Sequence, residues 1–106
     1  MKDAILNLIR EKGNGVTFVE LQAIDGFVGD RMFLYEPSNI CLWSGISAEA
    51  VMALKDLLDT KQVDWNITDP LVYLVDGVTW TLPLVEEARR YETPHWLPVA
   101  FNLCKN

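Results

Sequence analysis

The sequence predicts a mixed α+β fold in a single small domain. Apolar residues recur at helical spacing in the opening stretch and again over 48–60. They alternate with polar residues over 63–67 and again over 78–82. Half of the 106 residues are hydrophobic and 23% are charged. That balance supports one packed core and argues against global disorder. The length suits one domain, since domains commonly run about 100–150 residues. Within 1–106, the expectation is a hairpin inserted at 25–45 and a C-terminal extension over 83–106.

The first element is a helix over 3–12. Ile5, Leu8 and Ile9 share one face, while Arg10, Glu11 and Lys12 point to solvent. Gly13-Asn14-Gly15 stops it, because glycine accepts the left-handed conformation of a helix end. Thr17-Phe18-Val19-Glu20 has the spacing of a capping box. A short second helix over 18–24 follows, with Phe18 and Leu21 inward.

Arg31–Tyr35 and Ile40–Trp43 flank the turn-forming Glu36-Pro37-Ser38-Asn39, so they predict a hairpin. Ser47 is placed to cap the longest helix, over 48–60, where Val51, Leu54, Leu57 and Leu58 fall on one side. Val63, Trp65 and Ile67 then alternate with Asp64, Asn66 and Thr68 as in a strand. The unbroken apolar run Leu71–Val75 reads as a central strand. Asp76-Gly77 reads as the two-residue turn of a hairpin, with the return strand over 78–82. Residues 84–92 fit a short helix or an extended arm. Pro94 and Pro98 exclude a regular helix over 93–98, and 99–103 fits a last strand. The expected core is Ile5, Leu8, Leu21, Val51, Leu54, Leu58, Val72, Leu74 and Trp80, on one antiparallel sheet of 63–67, 71–75 and 78–82.

These residues resemble a winged helix-turn-helix domain. Ala4–Val16 is similar to its first helix and Thr17–Leu21 to the opening of its second. Ile46–Val51, continuing through Leu54 and Leu57-Leu58, is similar to its third helix. Lys61–Val63 through Leu71–Leu74 is similar to its wing. The resemblance implies three helices on a small antiparallel sheet, and DNA binding through the third helix. Two features depart from the pattern. Residues 25–45 stand where the family uses a turn of about four residues. The helix 48–60 presents Glu49, Met52, Asp56 and Asp59, whereas base edges are commonly read by Arg, Lys, Asn or Gln.

Charge bears on function. Nine basic residues face fifteen acidic ones, a formal charge of −6. Residues 46–82 hold two lysines and six acidic residues. Sequence-blind binding of polyanions needs clustered Lys and Arg, and this chain does not offer them. An anionic membrane surface is disfavoured on the same ground. No window approaches the ~18 apolar residues of a spanning helix, and the opening residues lack a secretory pattern, so the expected location is cytoplasmic.

The leading functional reading is a non-enzymatic interaction module that binds a protein partner or itself, a homodimer in the latter case. Tryptophan is enriched at interface hot spots. Trp43 and Trp96 border turns and are the candidate anchors, with a place in the core as the alternative for Trp43, whereas Trp65 and Trp80 lie in the apolar register of their strands and read as core. The alternative is a sequence-specific DNA-binding regulator using Arg10, Lys12, Arg31, Arg89 or Arg90 for phosphates. A third reading is a hydrolase-type enzyme using His95 with a carboxylate or a thiol, the thiol being that of Cys41 or Cys104. His95 packed on Trp96 in a proline-fixed loop explains that residue without catalysis. Cys41 and Cys104 lack flanking motifs and read as small buried hydrophobes. Asp56, Asp59 and Glu49 read as a solvated helix face rather than metal ligands. Gly13-Asn14-Gly15 lacks a phosphate-loop pattern. No cofactor and no metal are expected.

Overall fold

A computed structural model describes residues 1–35, 38–77, 82–87 and 89–104. Within these, four helices and two small sheets form a mixed α+β globule. In chain order they are α1 (Lys2–Lys12), α2 (Phe18–Leu21), β1 (Val28–Tyr35), β2 (Ile40–Ile46), α3 (Ala48–Asp59), β3 (Val63–Ile67), α4 (Leu71–Val75), β4 (His95–Trp96) and β5 (Val99–Leu103).

The helix signals in the first half operate as their chemistry demands. α1 ends at Gly13, whose φ of 87° lets its N–H and that of Asn14 both reach the Ile9 carbonyl. The Asn14 side chain then accepts the Leu103 N–H, and the Asn102 side chain accepts that of Gly15. The helix stop is thereby tied to β5. Thr17 and Glu20 form the capping box of α2, each side chain accepting from the other's backbone. α2 ends at Leu21, short of residue 24, in a run of turns. Ser47 caps α3: its hydroxyl accepts from Ala50 N–H at 3.0 Å and donates to the Gly26 carbonyl at 2.7 Å.

The first sheet has the order β1-β2-β4, with β1 and β2 antiparallel and β2 and β4 parallel. The β1–β2 pairing is broken by irregularities near Val28, Arg31 and Phe33. Residues 28–30 extend β1 beyond the predicted arm. Gly29 there lies so close to Ser47 that an added Cβ would stand 2.5 Å from its Cα. The second sheet pairs β3 with β5 antiparallel, and Val16 bridges Phe101 on the other side of β5. β5 therefore runs between Val16 and β3.

The region after β3 departs from expectation. Leu71–Val75 is a helix, not a strand. A short apolar run suits either state by periodicity, and its flanks decide. Asp69 accepts the Leu71 N–H through its side chain at 2.9 Å, and Pro70 supplies a helical φ of −54°. Asp76-Gly77 ends the helix instead of turning a hairpin. Gly77, with φ 82°, donates to the Leu74 carbonyl and Asp76 to that of Tyr73. A left-handed glycine serves either purpose. The partner of β3 is accordingly β5. The return strand expected over 78–82 falls largely outside the described residues, as does Trp80. Residues 83–86 run as an arm beside β4, with Trp96 N–H bonded to Pro83 O and Val85 N–H to Trp96 O. The 83–106 stretch thus contributes a strand to each sheet.

The core joins the two sheets through aromatic side chains. Phe18 of α2 stacks on Trp43 of β2 with ring centroids 5.3 Å apart and meets Phe101 of β5 edge-on at 5.2 Å. Tyr73 of α4 packs on Trp43 and edge-on to Trp96 of β4. Ile5, Ile9, Leu21, Leu54 and Leu57 close the surrounding layer. The expected core positions Ile5, Leu21 and Leu54 are buried. Leu8, Val51, Leu58 and Trp65 are only partly buried against it. Val72 and Leu74 are exposed, because the helix turns them outward.

Candidate functional site

α4 carries four exposed large hydrophobic residues, Leu71, Val72, Leu74 and Val75. Tyr73 is its one buried residue. At about 100° per residue, Leu71 and Val75 lie opposite Tyr73, with Val72 and Leu74 between. Exposure follows that wheel: Leu71 is 61% exposed, Val72 40%, Leu74 51% and Val75 85%. The helix contains no charged residue. Asp69 and Asp76 bracket it, and neither has an ion pair among the described residues.

Tyr73 holds this helix to the body. Its hydroxyl donates to the Val99 carbonyl at 2.6 Å and accepts the Phe18 N–H at 3.2 Å. Burial pushes its phenol up to about 12, the Phe18 N–H partly offsets this, and the charges of Glu20 and Asp76 add to the rise. Beside α4 runs a groove of ≈ 600 Å³ whose apolar lining is Val19, Val72 and Val75. Glu20, Lys12 and Asp76 stand at its rim. Lys12 and Glu20 pair with one another. Burial raises the Glu20 pKa, but hydrogen bonds from Lys12 and Thr17 and the Lys12 charge outweigh it, and the net shift is downward.

Two further grooves flank α3. One, of ≈ 420 Å³, lies between β1 and α3 and includes Met32, Leu34, Val51 and Leu58 with Lys55 and Asp59. The other, of ≈ 620 Å³, lies between the start of α1 and α3 and includes Met52, Glu49 and Asp56. Lys2 bonds Asp56 there at 2.7 Å, so one carboxylate of the α3 face is already engaged.

The residues singled out in the sequence fall elsewhere. Trp43 and Trp96 are 4% and 3% exposed and belong to the aromatic core, which corrects their reading as surface anchors. Both border turns in sequence, yet their strands place them inward against Phe18 and Tyr73. The five candidate phosphate-binding cations are spread over α1, β1 and the segment before β4. Lys12 pairs with Glu20, Arg31 with Asp30 and Arg89 with Glu87, while Arg10 bonds the Asn7 side chain. Arg89 also lies over the Tyr91 ring at 4.4 Å. Arg90 is exposed.

His95 stacks on Tyr91 with centroids 3.9 Å apart, and its Nδ1 bonds the Thr93 carbonyl at 2.9 Å. The ring is thus held by Tyr91 and the Thr93 carbonyl. Cys41 is buried, and burial pushes its thiol up to about 11, with a backbone hydrogen bond from Trp43 opposing. Cys104 is also raised, by desolvation first and then by Asp64. Both thiols are therefore protonated near neutral pH, the reverse of an activated nucleophile. Among the described residues, no three His, Cys, Asp or Glu side chains are arranged to hold a metal ion. No helix among them is long and apolar enough to cross a membrane.

Sequence reasoning missed α4. The signal was present in Asp69-Pro70 before the run and Gly77 after it, a start and a stop at helical distance. Comparison with protein-family models, curated proteins and solved structures finds no match.

Proposed function

We propose that this protein is a non-enzymatic interaction module on a winged-helix-like scaffold, and that it binds a protein partner through α4. The observation that carries the reading is the uncharged, outward face of Leu71, Val72, Leu74 and Val75. Contiguous apolar surface of this kind marks contact sites in soluble domains. The strand pattern supports the scaffold: a bridge after α1, then β3 and β5 paired after α3, with β5 between them. The acidic face of α3 disfavours the DNA-binding reading of that scaffold. Two protonated thiols weigh against the thiol form of the hydrolase reading. Self-association would bring together two chains of charge −6, which favours a different protein as the partner.

The test is site-specific cross-linking in the full chain. A photoreactive phenylalanine replacing Val75 should give one dominant cross-linked protein species. The same group replacing the exposed Glu11 on α1 should not. Equal, diffuse cross-linking from both positions would remove the support for α4 as the contact surface.

A further inference from the structure

We infer that the groove between α2 and α4 receives an apolar side chain of a partner protein that carries lysine or arginine beside it. This rests on the reading of α4 as the contact surface and adds the chemistry of what it contacts.

The groove is lined by Val19, Val72 and Val75, three aliphatic side chains from two helices, together with Gly15 and Thr17. The Thr17 hydroxyl is engaged with Glu20 and the Gly15 N–H with the Asn102 side chain, so the valines are what the groove offers an incoming group, and that group is apolar. The rim is charged but unbalanced. Glu20 and Asp76 supply two carboxylates against the single ammonium of Lys12. Lys12 is bound to Glu20, and Glu20 also closes the capping box of α2. Asp76 is left without an ion pair among the described residues, directly after Val75. At the other end of α4, Asp69 is exposed, and its side chain accepts the Leu71 N–H. The apolar face is thus bracketed by carboxylates at both ends. The potential is felt beneath the helix as well, since Glu20 and Asp76 both act on the buried Tyr73 phenol. An incoming segment with cations flanking its apolar residues complements this pattern. A second copy of the chain would set Asp76 and Asp69 against their own like, and an acidic partner would do the same.

The test uses the full-length protein and two synthetic helical peptides with the same leucine stripe. One is flanked by lysines and the other by glutamates. Binding is read by fluorescence anisotropy at low and at high salt. The lysine peptide should bind at least ten-fold more tightly than the glutamate peptide, and the gap should shrink in high salt. Val75→Ser should weaken the lysine peptide about ten-fold or more. It should leave the thermal midpoint unchanged, because Val75 is almost fully exposed. Asp76→Asn should weaken the lysine peptide about three- to ten-fold and leave the glutamate peptide unaffected or improved. Equal binding of both peptides, each lost in Val75→Ser, would overturn the charge inference and leave the α4 face standing. Absence of binding by either peptide, or binding unaffected by Val75→Ser, would overturn the face itself. Sedimentation showing a dimer that Val75→Ser dissociates would make a second copy the occupant and overturn the inference likewise.

Discussion

The Tyr73 hydroxyl reaches across to β5 and donates to the Val99 carbonyl at 2.6 Å. The same oxygen accepts the Phe18 N–H at the start of α2. One side chain thus fastens α4 to a helix and a strand that are far from it in sequence. The other four residues of α4 face outward, so the presentation of that face depends on Tyr73.

Tyr73→Phe keeps the ring in the aromatic core but leaves Phe18 N–H and Val99 C=O without this partner. The expected cost is about 1–3 kcal/mol of stability, read as a shift in urea midpoint. Hydrogen exchange should quicken more at the amides of α4 than at those of α1. Uniform quickening across the chain would show that α4 is not held locally by this hydroxyl.

Alkaline unfolding should carry the signature of two buried acids. The Cys41 thiol stands at about 11 against its usual 9.0, and the Tyr73 phenol at about 12 against 10.0. In each case the unfolded chain releases its proton first, so ionisation favours unfolding. Their contributions are fully present below about pH 9 and are lost as pH rises towards 12. Complete loss amounts to roughly 2–3 kcal/mol for each group. Urea midpoints between pH 8 and 12 should fall less steeply in Cys41→Ala over the lower part of that window. Identical slopes for wild type and variant would contradict the burial of this thiol.

Gly29→Ala tests the approach of β1 to the start of α3. A Cβ there would stand 2.5 Å from Ser47 Cα and 2.7 Å from its nitrogen. These are backbone atoms, so no rotamer change relieves the clash. The expected loss is about 1–3 kcal/mol, measured by thermal or urea denaturation. Gly13 has open space at the same position but a positive φ, so Gly13→Ala should act through backbone strain alone. A neutral Gly29→Ala would mean that this contact is looser than described.

The parts of the fold legible in the sequence are those governed by local chemistry. Thr17 and Glu20 announced a cap, Ser47 a helix start and Gly13 a helix stop, and each acts within four residues of itself. The pairing of β3 with β5 was not legible, because it joins segments separated by the whole of 68–98. Leu71–Val75 was misread because five apolar residues carry no period that separates helix from strand. The site suffered most from this ambiguity. As a central strand the run would be covered on both faces, whereas as a helix it turns four apolar side chains outward. The tryptophans failed for a related reason. They border turn residues in sequence, but they pack against Phe18 and Tyr73, which come from other elements.

The last prediction concerns duplex DNA and the outer face of α3. Glu49, Asp56 and Asp59 lie on that helix, and Asp56 is bonded to Lys2. A helix entering the major groove would bring these carboxylates against phosphates and base edges, while Lys55 alone on it offers a cation. The cations proposed for phosphates are dispersed over three parts of the chain, and three of them are paired with carboxylates. Binding to duplex DNA at physiological salt should therefore be no tighter than the roughly 10⁻⁴–10⁻⁶ M typical of non-specific contacts. Electrophoretic mobility shifts over a random-sequence library, followed by selection, measure this directly. Enrichment of one sequence bound near 10⁻⁸ M, and lost in Met52→Asp, would move the function from α4 to α3. Weak, sequence-blind binding that vanishes with added salt would leave α4 as the contact surface.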